Sequence, residues 1–275
     1  MNAAVPLSRP QVPRAQGEVR LSARAQGGVT RLGDLRAQGS LKALFPRGAG
    51  DALEVVTLNT AGGLTSGDRM RLEARAEAGA RLRLSTQAAE RAYRAGEAEP
   101  ARVETRLSAG PGARIDWLPQ ETILYDGARL ERRLLADLEG DATALLVEPL
   151  VFGRLAHGEV LREGRLRDRW EVRRDGRLRF ADAFRVEGDI AATLDRAGVG
   201  GGARAMATVV VAGPGAESHL AAARALCAGT GGAGMIEDGL LFARLLAADG
   251  FALRQALVPL IVRLSGAALP KTWTL

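Results

Sequence analysis

Cysteine, lysine and histidine are scarce in this sequence, and each scarcity excludes a class of protein. The 275 residues include one cysteine, Cys227, which cannot form an internal disulfide or a cysteine-cluster metal site. The two lysines, Lys42 and Lys271, follow Leu41 and Pro270, so neither belongs to the Gly-Lys-Ser/Thr loop of a Walker-type nucleotidase. Two histidines cannot supply a three-histidine zinc site. The single cysteine fits a reducing compartment, and we expect a cytoplasmic protein.

Aromatic residues are also few, and this changes the meaning of the basic charge. Lysine and arginine number 38 against 32 acids, which gives a net charge of +6 and a pI near 10.5. Such a balance suggests a nucleic-acid partner, but aromatics make up only 4% of the chain and base stacking needs them. Arginines also alternate with acids, as in residues 71–77. We therefore expect no nucleic-acid partner.

The sequence contains no long apolar run. The most apolar stretch, residues 251–264, is interrupted by Arg254, Gln255 and Arg263 and is too short to span a bilayer. Residues 1–16 lack the apolar core of a signal peptide. We expect a loose N-terminal tail over residues 1–16, a single domain over residues 17–275, and no membrane partner.

The dominant hydrophobic period is two, which is typical of strands with one buried face. Apolar and polar residues alternate over residues 81–85 and 102–107, and further strand-like runs lie between breaks that contain glycine or proline. These further runs are residues 53–58, 144–152, 205–212 and 240–246.

The clearest strand pair is a predicted hairpin over residues 165–186. Its two alternating halves flank Asp175-Gly176, a dipeptide preferred in type I′ turns. Asp168 and Asp182 fall on the apolar side of the alternation. Either they face inward or a bulge shifts the register.

Helical patterns occur only in the C-terminal half. Residues 217–227 are rich in alanine, with leucines spaced along one face, and a second helix is predicted from the N-cap Asp249 to Leu264. Pro259 lies inside that helix and predicts a kink or an early end. We therefore predict a mainly β, single-domain protein with two α-helices in the C-terminal half.

The sharpest local feature is the loop Asn59-Thr60-Ala61-Gly62-Gly63-Leu64-Thr65-Ser66-Gly67-Asp68. Turned backbone amides of such a loop form anion nests, so a phosphate site is one interpretation. The loop has no lysine, however, and it leads into residues that alternate like a strand instead of a helix. A tight turn at a sheet corner, with glycines at positive φ, is the favoured interpretation.

Three further segments combine carboxylates with strand-like residues: 85–94, 116–127 and 147–154. Thr86, Gln87 and Glu90 either line a polar cavity or form a solvated strand end in which Glu90 pairs with Arg94. Glu148 stands among apolar residues and would need a partner if it is buried, and Arg154 is the candidate.

The sequence also contains the residue types of two kinds of enzyme, a glycosidase and a Ser/His/Asp hydrolase. Two carboxylates suffice for a glycosidase, and some hydrolases are β-solenoids, but 32 acids make a chance pair easy to find. A Ser/His/Asp triad would have to use His157 or His219, and neither lies in a recognisable motif.

Taken in order, the four segments resemble the signatures of the urease accessory protein UreD family, also called UreH. The loop 59–68 is similar to the family signature Asn-Thr-x-Gly-Gly-Leu-x-x-Gly-Asp, with Ser66 where glycine is frequent. Residues 86–94, 117–123 and 148–154 resemble the second, third and fourth signatures. The resemblance covers residues 18–275, including the hairpin and the ending Pro270-Lys271-Thr272-Trp273.

This resemblance implies a β-helix-like fold and a non-catalytic role in urease maturation. Family members bind the urease apoprotein and recruit a UreF-type accessory protein and, through it, a UreG-type GTPase for GTP-dependent nickel insertion. No cofactor is expected to bind tightly, because few soft or imidazole ligands are present, although nickel could pass transiently. Because the two predicted helices stand out on an otherwise strand-rich body, we expect them to form the partner-docking surface; the alternative is that they only cap the β core.

The resemblance also selects candidate residues. The acids of the four motifs are the predicted weak ligands of a nickel path: Asp68, Glu90, Glu121 and Glu148. Asn59, Thr60, Thr86 and Gln87 could line the same path as neutral ligands, and Gly62, Gly63, Gly67 and Gly153 are expected to shape the backbone. The remaining motif residues singled out are Arg91, Tyr93, Pro119, Phe152 and Arg154.

Overall fold

The structure, a computed structural model, describes residues 13–47, 50–96 and 99–274. The first twelve residues of the predicted tail lie outside these ranges. Its last residues contact the body of the protein, since Ala15 N donates a hydrogen bond to Asp68 Oδ1 at 2.8 Å and Gln16 pairs with Arg69.

Strands dominate the described residues. In chain order they are β1 (Gln16–Gln26), β2 (Val29–Gly39), β3 (Leu41–Leu44), β4 (Leu53–Asn59), β5 (Arg69–Ala76), β6 (Arg81–Thr86), β7 (Glu90–Ala92), β8 (Ala101–Ala109), β9 (Arg114–Leu118), β10 (Thr122–Leu124), β11 (Arg129–Leu138), β12 (Thr143–Phe152), β13 (Gly164–Arg174), β14 (Arg177–Gly188), β15 (Ala205–Ala212), β16 (Gly231–Glu237) and β17 (Leu240–Ala247). The helices are α1 (Ile190–Asp195), α2 (Leu220–Cys227) and α3 (Gly250–Ser265).

The centre of the fold is a parallel β-helix, in which the chain passes repeatedly from one sheet to another. Sheet A has the order β14-β13-β11-β8-β5-β1-β2, and its five central strands are parallel. Sheet B contains the parallel set β4-β6-β9-β12, followed by antiparallel β15, β17 and β16. A short third side is formed by β7, β10 and the end of β12. This solenoid confirms the predicted strand-rich, β-helix-like fold.

Two hydrophobic cores explain why some strands alternate between apolar and polar residues whereas β15 is continuously apolar. The larger core fills the inside of the β-helix, and the central strands of sheet A, such as β5 and β8, send alternate residues into it. The smaller core lies between sheet B and the helices α2 and α3. Strand β15 is therefore buried on both faces and is continuously apolar, the pattern expected for a covered strand.

The predicted hairpin is confirmed in β13 and β14. Asp175 and Gly176 have φ angles of 49° and 75°, as a type I′ turn requires. Asp168 faces inward and is buried, and Asp182 bonds to Arg244 of sheet B. A register shift does occur, but only beyond Val172, so it does not explain the inward aspartates.

The helix predictions are confirmed with small corrections. Helix α3 begins after Asp249, whose side chain accepts a hydrogen bond from Ala252 N, and it continues past Pro259 to Ser265. Helix α2 begins at Leu220, because residues 216–219 form a 3-10 turn. The short helix α1, capped by Asp189, was not predicted. No helix in the described part of the chain has the length and apolarity needed to cross a membrane.

Candidate functional site

The four motif segments meet at one corner of the β-helix. Strands β4, β6 and β9 are parallel neighbours, so their C-terminal ends lie at the same edge of sheet B. The chain then turns into the short third side, where Glu90, Thr122 and Leu150 stand next to one another in register. The repeated coil thus brings together residues that are far apart in sequence.

A cavity of about 80 Å³ lies inside this corner. It is large enough for a few water molecules, and hydroxyl, carboxyl and guanidinium groups line part of its wall. The polar residues of its lining include Thr57, Thr86, Glu90, Thr122, Arg132 and Glu148.

A buried charge cluster occupies one side of the cavity. Arg132 Nη2 lies 2.8 Å from Glu148 Oε2 and 2.6 Å from Asp168 Oδ2. Arg132 Nη1 donates to Thr122 Oγ1 at 3.1 Å, and Trp117 Nε1 donates to Glu148 Oε1 at 2.9 Å. The predicted pairing of Glu148 with Arg154 is therefore wrong.

Arg154 lies on the far side of the Gly153 turn, which explains the wrong pairing. Gly153 has a φ of 84°, and Arg154 then bonds to Glu159, with Nη2 3.0 Å from Oε1. Its guanidinium also stacks over the Tyr125 ring at 4.3 Å.

The cluster has one cation for two carboxyls, and burial and charge pairing act in opposite directions on the pKa values of Glu148 and Arg132. Burial raises the pKa of Glu148, although Arg132 and the Trp117 hydrogen bond oppose the rise. Burial acts to lower the pKa of Arg132, but Asp168 and Glu148 outweigh it and raise that pKa. Asp168 Oδ1 has no hydrogen-bond partner among the described atoms. The site therefore favours a cation or a proton near the carboxyls.

Besides Glu148 and Glu104, the lining of the cavity includes the carboxyl of Glu90. The Asn59 side-chain amide donates to its two oxygens at 3.4 and 3.3 Å, and Arg91 N donates at 3.2 Å. Burial raises the pKa of Glu90 to about 7, against the opposing effect of the Asn59 hydrogen bond. Arg94, which was considered as its partner, pairs with Asp126. Glu90 therefore changes its charge near neutral pH.

The other two predicted acids do not line the cavity. Asp68 is buried, and its oxygens accept hydrogen bonds from Ala15 N and Thr65 N, each at 2.8 Å. Glu121 lies at the surface of the corner, with Oε2 3.8 Å from Arg254 Nη1.

The loop 59–68 is a tight turn between strands β4 and β5. Asn59 Oδ1 accepts from Ala61 N at 3.0 Å, and the loop leads into β5 without a helix N-terminus that could hold phosphate. Its glycines Gly62, Gly63 and Gly67 adopt positive φ.

The neutral motif residues divide between the cavity and the surface. Thr86 Oγ1 accepts from Gln120 N at 2.8 Å and lines the cavity, as does Pro119. Phe152 is buried in the main core. The exposed motif residues are Thr60, Gln87, Arg91 and Tyr93.

Sequence reasoning missed Arg132, the central cation of the cluster. The sequence does indicate that Arg132 faces inward, because it lies between Leu130 and Leu134 on the inward side of the alternation in β11. The acids Asp168 and Asp182 were placed on the apolar side of the alternation, but a buried arginine was not considered.

Comparisons with known proteins agree with the motifs and the fold. A family model described as UreD urease accessory protein matches residues 15–274. The chain is 48% identical over 277 residues to the urease accessory protein UreD of Rhizobium rhizogenes, with 100% of both chains covered. The chain belongs to the UreD urease accessory protein family.

Two other relatives are about as similar to this chain. Identity is 47% over 255 residues to the urease accessory protein UreD of Ruegeria pomeroyi, with 93% of this chain and 99% of the relative covered. It is 48% over 262 residues to that of Xanthobacter autotrophicus, with 94% and 90% covered. The resemblance inferred from four short motifs is thus confirmed along the whole domain.

Proposed function

We propose that this chain is a non-catalytic maturation factor that binds the urease apoprotein in the cytoplasm. It recruits a UreF-type accessory protein and, through it, a UreG-type GTPase, and the assembly inserts nickel into urease with hydrolysis of GTP. Membership of the UreD urease accessory protein family across residues 15–274 is the observation that carries this proposal.

Nickel is the cargo in this proposal, and the corner cavity is part of its path. Glu90 and Glu148 supply carboxylates there, and Thr86 and Thr122 supply hydroxyls. Oxygen ligands bind nickel more weakly than thiolate or imidazole, which suits an ion that must be passed on. In the described part of the chain, no group of three His, Cys, Asp or Glu side chains is arranged to hold a metal ion.

Asp68 and Glu121 take other roles in the proposal. Because both Asp68 oxygens already accept backbone amides, Asp68 holds the turn that positions Asn59 beside Glu90. Glu121 lies outside the cavity at its corner, where it can attract a cation toward the entrance.

A glycoside hydrolase fits the geometry less well. The cavity that holds Glu90 and Glu148 measures about 80 Å³, well below the roughly 300–1,000 Å³ of sites for small organic ligands. Neither His157 nor His219 lines this cavity, so it contains no Ser/His/Asp arrangement.

The docking surface for the UreF-type partner is placed on the exposed side of α3. Phe251 at its start is 72% exposed and Val262 near its end is 44% exposed, although the rest of the apolar face is buried. A groove of about 700 Å³ beside Phe251 is lined by Tyr125, Val151 and Leu155. Exposed apolar side chains beside a groove are typical of a protein interface.

Co-expression with a urease operon tests the proposal. Urease made without this chain should contain little nickel, and nickel equal to that made with it would overturn the maturation role. Glu90→Gln should lower the nickel content, whereas Glu121→Gln at the corner surface should lower it less. A folded Glu90→Gln protein that supports full nickel loading would reject the path while leaving the maturation role intact.

A further inference from the structure

Four strands of sheet A, β5, β8, β11 and β13, carry on their outer face an excess of positive charge equal to the net charge of the protein. The outward side chains of β5, β8, β11 and β13 include eleven arginines and five acids, an excess of six. The formal net charge of the chain is also +6, so the charges elsewhere cancel. We call the outward side chains of these four strands the arginine face.

Arginines on this face stand directly opposite one another. Three Arg–Arg pairs are in register on neighbouring strands, whereas no two acids of the face are: the pairs are Arg69–Arg102, Arg129–Arg165 and Arg133–Arg169. Like charges in directly opposite positions destabilise a sheet. The fold therefore tolerates repulsion here that acidic substitutions would relieve.

The five acids of the face are shared among its arginines, and Glu99, Glu139 and Glu163 beside the strands also pair with arginines of the face. Glu131 serves three guanidiniums, with Arg165 at 3.2 Å, Arg102 at 3.5 Å and Arg167 at 3.7 Å. Arg169 is exposed and has no described ion pair, and its neighbours include Arg133 and Arg167. This leaves guanidinium groups with donors available to another molecule.

A shallow groove crosses the same face. Its volume is about 790 Å³, and its lining includes three acids, Glu18, Glu104 and Glu131. Six arginines of the arginine face also line it: Arg69, Arg71, Arg102, Arg133, Arg167 and Arg169. Guanidinium groups bind carboxylates through paired hydrogen bonds, so a groove of this kind suits several carboxylates presented side by side.

We propose that the arginine face binds a protein surface rich in aspartate and glutamate side chains. A nucleic acid fits less well, because the face offers no aromatic side chain for base stacking, since Trp170 of β13 points inward and is buried. The proposal does not depend on the cavity or on the nickel path.

The test uses poly-L-glutamate as the acidic probe. An oligothymidylate of equal length represents the alternative partner, a nucleic acid. Binding of each to the full chain is measured by fluorescence anisotropy at about 0.01 M and about 0.15 M salt. The face variant is Arg133→Glu with Arg169→Glu. The charge-matched control is Arg196→Glu with Arg263→Glu, two exposed arginines outside sheet A that have no described ion pair.

The face variant should bind poly-L-glutamate about tenfold more weakly, and the control should stay within about twofold of the wild type. Equal losses in both would overturn the proposal, because binding would then follow net charge alone. Tighter binding of the oligothymidylate than of poly-L-glutamate would also overturn it.

A stability measurement gives an independent readout. Arg169→Glu alone should raise Tm by about 1–3 °C, since it converts a repulsive pair with Arg133 into an attractive one, while it weakens probe binding. A purely structural role for Arg169 predicts the opposite, and a lower Tm would reject the repulsion on which the inference rests.

Discussion

Arg132 Nη2 lies 2.8 Å from Glu148 Oε2 inside the β-helix, and both side chains are buried. The two residues come from β11 and β12, and the bond from Arg132 to Asp168 adds β13. One guanidinium therefore joins three consecutive strands of the solenoid. Its removal would leave two carboxyls buried without a cation.

Arg132→Met should lower the free energy of unfolding by about 3–5 kcal/mol, because breaking a buried ion pair leaves uncompensated charge. Urea denaturation measures the loss. Arg133→Met is the matched control, since the neighbouring residue points outward and is exposed, and it should cost less than about 1 kcal/mol. Similar losses for the two variants would show that the cluster contributes no special stability.

Local patterns in the sequence predicted the elements but not the contacts between coils. The Asp175-Gly176 turn, the apolar run of β15 and the Asp249 cap each depend on a few adjacent residues, and each is present. The partners of Glu148, Arg132 and Trp117, are 16 and 31 residues away, on neighbouring coils. Only the closure of the β-helix brings them together, and the alternating period alone is equally consistent with a sandwich.

Strand β16, which is rich in glycine, and the N-terminal strands β1 and β2 were not predicted from the sequence. Strand β16 begins with Gly231 and Gly232, and glycine is depleted in strands, so the segment did not read as one. Strand β1 does alternate, with Val19, Leu21 and Ala23 buried, and was overlooked all the same. Strand β2 has weak alternation, because it is an edge strand and most of its residues are exposed. Burial, which creates the pattern, is missing there.

Gly63 packs against the ring of Tyr93, and this close approach predicts a large effect of substitution. A Cβ at Gly63, whose φ is 149°, would lie 2.3 Å from Tyr93 Cε2 and 2.7 Å from Arg91 O. Gly63→Ala should therefore cost at least about 2 kcal/mol of stability in thermal or urea unfolding.

Gly62→Ala provides the control for that substitution. A Cβ at Gly62 would have no heavy atom within 4 Å besides those of its chain neighbours, so the positive φ of 77° is the only source of strain for alanine there. Gly62→Ala should therefore lower the free energy of unfolding by about 1 kcal/mol. If the two variants are equally stable, contact with Tyr93 does not constrain the loop.

Phe251 tests the proposed docking surface. Phe251→Ser should weaken binding to the UreF-type partner at least tenfold, measured by calorimetry or co-purification, because exposed aromatic side chains often dominate interfaces. Leu178→Ser on the hairpin is the control, since Leu178 is 49% exposed and lies on β14 of sheet A. Equal binding by both variants would place the partner elsewhere.

Point substitutions are preferable to truncation at Gly266 for this purpose. Trp273 is buried, donates from Nε1 to Leu118 O at 2.9 Å and stacks under Arg254 at 4.9 Å. Removing the last residues would open the smaller core and lower stability as well as binding. A loss of partner binding after truncation would therefore not identify the surface.

The raised pKa of Glu90 predicts a distinctive pH dependence of the protein's stability. Its pKa rises from 4.5 to about 7 on folding because of burial, so the folded state binds more protons than the unfolded state between these values. The stability it contributes is fully present below about pH 4.5 and is lost as the pH rises through about 7. The total change is about 3 kcal/mol, at about 1.4 kcal/mol for each unit of pKa.

Glu90→Gln should remove that dependence, because glutamine keeps the shape and polarity without the titrating proton. The difference in unfolding free energy between Glu90→Gln and the wild type should grow in favour of the variant as the pH increases from about 5 to about 8. Glu121→Gln, at the surface of the same corner, should leave the wild-type profile unchanged. A constant difference between Glu90→Gln and the wild type across this range would show that Glu90 is ionised throughout, and that its charge is matched inside the cavity.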